Sequence, residues 1–280
     1  MIDYGLQNRV ALITGANNPW GIGATTALAF AREGAKVVLV YKRIPRPYDE
    51  SKTHQNGVDR YFKANAGGAD EVAARLEAMG AEYLILESDI SDETAVQSIY
   101  EQAVARFGGV DVLVNNAADG DMEGIDTIET VTQAVIDDTF AVNVRGSLLM
   151  TREFTRRFIQ RGGDFGRVVS LSTDAAQVFA GQITYGASKA TLEALTRSIA
   201  MEVAKYGITV NAICPGYFYT PLTKETLDSD FFQANARTMI PEERYGNEGE
   251  LDTAAIFLAS PASSYVTGVN LPVDGGYTCM

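Results

Sequence analysis

Tyr185 and Lys189 stand four residues apart at the start of a stretch with helical spacing, Tyr185 to Tyr206. Residues at that interval share one face of a helix. A phenol with a reference pKa of about 10 is a poor base at neutral pH, and a neighbouring ammonium favours its ionised form. The pair therefore predicts a tyrosine tuned to give a proton to a carbonyl oxygen, or to take one from an alcohol.

A second chemical signal lies near the N-terminus. The run Thr14-Gly15-Ala16-Asn17-Asn18-Pro19-Trp20-Gly21-Ile22-Gly23 follows an apolar segment directly and leads into a helical pattern. Glycines in that context let the backbone turn tightly and approach a pyrophosphate, whose charge is met by free amides at the helix N-terminus. At the end of the next apolar segment come Tyr41, Lys42 and Arg43. A dinucleotide site for NAD commonly places an acidic residue there, on the ribose hydroxyls. Two cations suit a 2'-phosphate instead, and predict NADP(H) in preference to NAD(H). Their placement is informative because 36 Asp and Glu outnumber 23 Lys and Arg in the whole chain, for a formal charge of -13.

The elements that must position these groups are written as alternation. Short apolar runs recur at Val10 to Thr14, Lys36 to Tyr41, Tyr83 to Leu86, Val110 to Val114, Arg167 to Leu171, Thr209 to Ile213 and Val269 to Val273. They read as buried strands. Between them, Ile22 to Glu33, Asp70 to Met79, Glu93 to Phe107 and Tyr185 to Tyr206 have helical periodicity; in the last, Leu192, Leu195, Ile199 and Val203 form one apolar stripe. This predicts a single-domain α/β fold of the Rossmann type over residues 1–280, a doubly wound parallel sheet with helices on both faces. Ligands of such sheets gather at the carboxyl ends of the strands. Two stretches break the rhythm. One is an insertion at about 44–66, read either as a cover for the 2'-phosphate, as a subunit contact, or as a solvated excursion. The other spans about 217–249 and reads as a substrate lid.

Composition narrows the chemistry. At 280 residues and 46% apolar content the chain can bury one large core. The only histidine, His54, sits in a polar stretch and is expected to be exposed, which argues against a Ser-His-Asp triad or a histidine-bound zinc; no metal site is expected. Cys214 and Cys279 are too few for a disulfide framework. The negative charge disfavours nucleic acid and anionic membrane as partners. With no long apolar span and no basic-then-apolar leader, a cytoplasmic protein acting on a small molecule is the expectation.

At this point the residues match a known pattern over nearly the whole chain. The glycine-rich turn, Asp89-Ile90, Asn115-Asn116-Ala117-Ala118, Asn143, Ser172, Tyr185-x-x-x-Lys189 and Pro215-Gly216 occur in an order that resembles the short-chain dehydrogenases/reductases. The resemblance implies a carbonyl or alcohol oxidoreductase in which Ser172, thirteen residues before Tyr185, bonds the reacting oxygen, with Thr173 as substitute should the register differ by one. It implies that Asn143 holds a water tied to Lys189, and that Lys189 also holds the nicotinamide ribose. Gly15, Asn17, Gly21, Ile22 and Gly23 would cradle the pyrophosphate, and Tyr41, Lys42 and Arg43 the adenosine phosphate. Asp89 and Ile90 would flank the adenine, Asn115 and Ala117 would line the adenosine side, and Pro215, Gly216, Phe218 and Thr220 would frame the nicotinamide. The nearest functional neighbours by this likeness are 3-oxoacyl-carrier-protein reductases and sugar or polyol dehydrogenases, usually homotetramers, with a homodimer as the smaller option.

The chain departs from that pattern in its turn, where five residues instead of three separate Gly15 from Gly21. A longer turn also occurs in the related enoyl reductases, although those space their tyrosine and lysine more widely. Enoyl reduction and a non-catalytic NADP-binding redox sensor are the alternatives. The segment after Gly216 brings Tyr217, Phe218, Tyr219, Phe231 and Phe232, which either line a closing pocket or pack as core. Asp119, Asp121, Glu123 and Asp126 make the loop after Ala118 acidic, which disfavours a strongly anionic substrate nearby.

Overall fold

Seven apolar segments pair edge to edge in the computed structural model, which describes residues 3–120, 126–176, 182–220 and 222–279. They are β1 (Val10–Thr14), β2 (Lys36–Tyr41), β3 (Tyr83–Glu87), β4 (Val112–Asn115), β5 (Gly166–Leu171), β6 (Ile208–Pro215) and β7 (Asn270–Val273). The sheet order is β3-β2-β1-β4-β5-β6-β7 and every pairing is parallel. Strand order reverses between β1 and β4, the place where a doubly wound sheet opens a crevice.

The helices are α1 (Ile22–Arg32), α2 (Val58–Ala66), α3 (Asp70–Ala78), α4 (Glu93–Phe107), α5 (Gln133–Phe140), α6 (Ser147–Gln160), α7 (Ile183–Val203), α8 (Lys224–Leu227), α9 (Asp230–Met239) and α10 (Glu248–Ala259). Side chains of a strand alternate between its faces, so each strand feeds two cores. Ile13, Val37, Leu39, Val114 and Leu171 pack with Leu28 of α1 and Leu251 and Ala255 of α10. Leu12, Val38, Val40 and Leu113 pack with Val96 and Tyr100 of α4, Phe154 and Phe158 of α6, and Val203 of α7. Every residue of β1, β4, β5 and β6 is buried. That double burial is why these strands read as continuous apolar runs.

The expected bounds of β1, β2 and α4 coincide with those found; β3, β5 and β7 differ by one residue at one end, and β4 and β6 by one or two residues at both ends. The 44–66 stretch holds a 3-10 turn, Glu50–Lys52, and α2, whose Phe62 is buried. A third, smaller cluster forms within 217–249: Leu227, Ala236, Ile240 and Tyr245, with Tyr217, Tyr219, Phe232 and Tyr277 against it. Among the described residues no helix is long and apolar enough to cross a membrane.

One buried polar tie orients the helix that follows the glycine turn. Asp252 of α10 accepts hydrogen bonds from Thr25 Oγ1 at 3.1 Å and Thr26 Oγ1 at 3.2 Å, and all three residues are buried. Removing the carboxylate takes a shared acceptor from two buried hydroxyls and leaves Thr25 Oγ1 on the carbonyl of Ile22 at 3.1 Å. Asp252→Ala is expected to lower unfolding free energy by about 2 kcal/mol, read as a lower urea midpoint with an unchanged slope.

Candidate active site

The carboxyl ends of β1 and β4 are joined by a close polar knot. Thr14 Oγ1 accepts from the backbone N–H of Asn116 and of Ala117, both at 3.0 Å, and Asn116 Nδ2 donates to the carbonyls of Thr14 and Gly15 at 2.8 and 3.0 Å. Gly15 has φ +69°, and a Cβ there would sit 2.7 Å from Ala117 Cα, so only glycine fits. A Cβ on Gly23 would likewise strike Asn116 Nδ2 and Gly15 O. Helix α1 then starts behind Gly21 with no side-chain cap, which leaves its first amides for an anion.

The extra length of this turn is taken up by the 44–66 insertion. Asn17 Nδ2 lies 3.4, 3.3 and 3.1 Å from the carbonyls of Ala64, Asn65 and Gly67, and Asn18 Nδ2 is 3.4 Å from Asn65 Oδ1. The guanidinium of Arg60 stacks 3.7 Å above the Trp20 ring, and Arg75 donates to Pro19 O at 2.6 Å. Asn17, expected on the pyrophosphate, thus spends its side chain on the insertion.

Both expected phosphate cations have acidic neighbours. Lys42 Nζ is 2.6 Å from Asp89 Oδ2, and Arg43 Nε is 3.5 Å from Glu87 Oε2. Burial alone would raise the pKa of Asp89, yet hydrogen bonds from Lys42 and Ser91 hold it below the usual carboxylate value. Tyr41 and Ile90 are buried, and Ile90 packs against Gly146, where a Cβ would come within 2.8 Å of it. Asn115 turns its amide inward, to Thr151 Oγ1 at 3.0 Å and Ser170 Oγ at 3.4 Å, bracing β4 on α6.

Tyr185 and Lys189 lie on the first turns of α7. Asp126 pins that end, accepting from Thr184 N at 2.6 Å and Thr184 Oγ1 at 3.0 Å. The Tyr185 ring rests on Gly120, where an added Cβ would be 3.1 Å from Cδ2. Lys189 is 2% exposed; its Nζ donates to Leu171 O at 2.6 Å and lies 5.5 Å from the centroid of the Tyr185 ring. Burial brings the Lys189 pKa down to about 8. Tyr185 moves against the expectation from sequence: burial raises its pKa above the ordinary phenol value, with Tyr61 and Asp174 adding to the rise. The ammonium is bound to a carbonyl and sits by the ring, so desolvation wins over its attraction.

Asn143 is fully buried in a π-helical stretch, Ala141–Gly146, between α5 and α6. Its Oδ1 accepts from Asp119 N at 2.7 Å, while Nδ2 donates to Asp119 O at 2.8 Å and Ser188 Oγ at 2.9 Å. The side chain therefore clamps the β4 loop to α7, and a water linked to Lys189 would need atoms other than these. Ser172 Oγ donates to Glu193 Oε1 at 2.9 Å. At the other edge, Gly216 N donates to Val273 O at 3.0 Å, and a Cβ on Gly216 would meet Asp274 at 2.8 Å. Beyond Pro215, Phe218 O accepts from Thr223 Oγ1 at 2.6 Å, and Thr220 and Thr223 share a hydroxyl contact at 3.0 Å.

A family model described as Enoyl-(Acyl carrier protein) reductase matches residues 51–278. Across 272 residues the chain is 34% identical to the (2S)-[(R)-hydroxy(phenyl)methyl]succinyl-CoA dehydrogenase subunit BbsD of Thauera aromatica, covering 97% of each. It is 33% identical to the 2-dehydro-3-deoxy-D-gluconate 5-dehydrogenase of Dickeya dadantii, over 98% of this chain and 97% of that one. A crystal structure from Agrobacterium tumefaciens, assigned as a 2-deoxy-d-gluconate 3-dehydrogenase with bound NADP, superposes with a TM-score of 0.81 at 29% identity over 100% of both chains. This chain belongs to the short-chain dehydrogenases/reductases.

Members of the family bind a nicotinamide cofactor, and the residues here fit one: Gly15 and Gly23 let the turn close against Asn116 and Ala117 without a Cβ, and the first amides of α1 carry no side-chain cap. As a short-chain dehydrogenase/reductase the chain is an oxidoreductase of the class that acts on alcohols and ketones. Sequence reasoning missed four groups at the site. Asn116 and Thr14 form the knot between strands, which the Asn115-Asn116 doublet hinted at. Asp174 and Tyr61 reach Tyr185 only through folding; Asp174 also raises Tyr217, whose pKa goes up to about 12, chiefly through burial and then Tyr277. Of the expected aromatics, Tyr217 packs on Tyr245 and Tyr277 at 6.0 and 5.8 Å and Tyr219 on Tyr245 at 5.7 Å, partners outside the expected set, while Phe231 stays 69% exposed. His54 is exposed, as expected, and Asp121 and Glu123 lie outside the described residues.

The Lys189 shift has a thermodynamic consequence. Its folded pKa, about 8, lies below the ordinary lysine value, so between the two the unfolded chain binds more protons and stability rises with pH. The melting temperature of the native chain relative to a Lys189→Met variant is expected to climb as pH rises from about 8 and to be flat below it. Paired thermal melts from pH 6 to about 10 check this.

Proposed function

We propose that this short-chain dehydrogenase/reductase uses NADP(H) to interconvert a ketone and a secondary alcohol, with Tyr185 as the proton donor and acceptor. The observation that carries the reading is the buried Lys189 ammonium under the Tyr185 ring, held on Leu171 O at the carboxyl end of β5. A bound nicotinamide supplies or accepts the hydride; the proton is the protein's share. At neutral pH the raised pKa keeps Tyr185 protonated, which suits donation to an oxygen that becomes an alcohol. The ammonium of Lys189 offsets the charge left on the phenol as the proton departs. Residues 217–249 act as the lid, their aromatic cluster making a small unit able to move as one.

NADP is favoured over NAD by Lys42 and Arg43 at the end of β2, both side chains more than half exposed. Their surface ion pairs with Asp89 and Glu87 contribute little, so a 2'-phosphate can take the cations over at small cost. The interval between Tyr185 and Lys189 supports carbonyl chemistry over enoyl reduction. The longer glycine turn, which raised the alternative, has its own account in the contacts of Asn17 and Trp20 with residues 60–67.

With NADPH and a panel of dihydroxyacetone, fructose, ethyl acetoacetate and acetoacetyl-coenzyme A, at least one ketone is expected to turn over. Tyr185→Phe should then lose kcat by about a hundredfold or more while NADPH binding by calorimetry is retained; undiminished turnover would refute the role of Tyr185. The pH profile of kcat for reduction is expected to stay level through neutrality and fall as pH passes about 8, where Lys189 gives up its charge. Calorimetry should show NADP binding roughly tenfold or more tighter than NAD, a gap that closes in Lys42→Ala/Arg43→Ala. Equal affinities in the native chain would overturn the cofactor preference.

A further inference from the structure

The 44–66 insertion touches both walls of the crevice between β1 and β4. On the β1 side, the carbonyl oxygen of Asn65 accepts from the backbone N–H of Ile44 at 2.9 Å and from Asn17 Nδ2 of the glycine turn at 3.3 Å. Ile44 is thus one shared acceptor away from the turn. Two residues on, Arg46 Nη2 lies 3.5 Å from Oδ1 of Asp119, in the β4 loop. Asp119 follows by two residues Ala117, against which Gly15 closes. Residues 44–46 therefore cross from one wall to the other, beside a turn where the first amides of α1 have no side-chain cap.

Arg46 is under-used in that position. Its side chain is only 23% exposed, and a guanidinium carries five N–H donors in a planar fork. Among the described residues, its guanidinium has the Asp119 ion pair and the ring of Phe62, with centroid 5.6 Å away, as its polar and ring contacts. At 3.5 Å the pair is longer than a charge-assisted hydrogen bond, which runs about 2.7–2.9 Å. Arg157 and Arg161, covered to a similar degree, each donate to a carboxylate, at 2.6 and 2.7 Å. Asp119 is moreover a reluctant anion, since burial raises its pKa and Arg46 only opposes the rise. A cation withdrawn from water with so few acceptors calls for another.

We propose that Arg46 is a cofactor ligand supplied by the insertion, its spare N–H donors binding the diphosphate of the nicotinamide dinucleotide across the crevice from the α1 amides. The assignment rests on the family's dinucleotide site and on the placement of Lys42, Arg43 and Tyr185 in the reading above. Lys42 and Arg43 stand at the end of β2 for the adenosine phosphate, and Tyr185 marks the nicotinamide end, its ring resting on Gly120. Arg46 pairs with the residue next to Gly120 while its own segment starts from the end of β2. It lies between the two ends, and the diphosphate is the anion a dinucleotide carries there. One edge of the fork can stay on Asp119 while the others turn to phosphate oxygens. Because NAD and NADP share the diphosphate, Arg46 serves both alike, whereas Lys42 and Arg43 tell them apart.

Titration calorimetry of the full chain with NADP and with NAD tests this without turnover. Arg46→Ala is expected to weaken both by a similar factor, about tenfold or more, as for a lost hydrogen bond to a charged group. Asp119→Asn breaks the ion pair but removes a negative charge from the crevice, and is expected to keep or tighten both affinities. The single tryptophan, Trp20, stacks with Arg60 at the other end of the insertion. Its emission in cofactor-free Arg46→Ala is expected to match native, the mark of an insertion still docked on the turn. Native-like affinities in Arg46→Ala, a loss confined to NADP, an equal loss in Asp119→Asn, or a shifted Trp20 emission in Arg46→Ala each overturn this assignment alone. A native chain that binds neither dinucleotide overturns the cofactor reading and this one with it.

Discussion

A buried ammonium must be given a partner or lose its proton, and the site is organised around how Lys189 meets that demand. Its Nζ is donated to the carbonyl of Leu171, at the last residue of β5, which ties the catalytic helix to the sheet. The same ammonium lies 5.5 Å from the centroid of the Tyr185 ring, and the phenol is itself partly buried. Desolvation therefore pushes the two pKa values in opposite directions, lysine down and tyrosine up. Such a pair holds its proton on the phenol at rest and has a cation waiting for the charge that transfer creates.

Around that pair the polar groups are used as clamps. Asn143 binds both backbone groups of Asp119 and the hydroxyl of Ser188, which itself donates to Tyr185 O at 2.7 Å. Arg46 of the insertion reaches Asp119 at 3.5 Å, whose carboxyl is raised by burial and restrained by that guanidinium. The loop beneath Tyr185 is thus held from the π-helical stretch before α6 on one side and from residues 44–66 on the other.

The lengthened glycine turn and the insertion explain one another. Taken singly, each is a departure from the pattern of the family. Together, Asn17, Asn18, Pro19 and Trp20 meet Arg60, Ala64, Asn65, Gly67 and Arg75. The added turn residues find their hydrogen bonds in the added helix, and the Gly15–Gly23 cradle keeps its close fit to β4.

By itself the sequence determined the alternation of buried strands and helices, because burial on both faces leaves an unbroken apolar run that needs no partner to be read. It determined the glycine turn, since a positive φ of the kind Gly15 takes favours glycine wherever it occurs, and the Tyr185–Lys189 pair, since helical pitch alone puts them together. Tertiary structure decided what depends on distance in space between residues far apart in the chain. The sign of the Tyr185 shift depends on desolvation by burial, with Tyr61 and Asp174 adding to the rise, and burial is set by elements that come together only in the fold. The hydroxyl of Ser172 goes to Glu193, and the amide of Asn17 to the insertion, because side-chain hydrogen bonds follow the packing of whole elements, and no spacing rule along one segment records where the next element will lie.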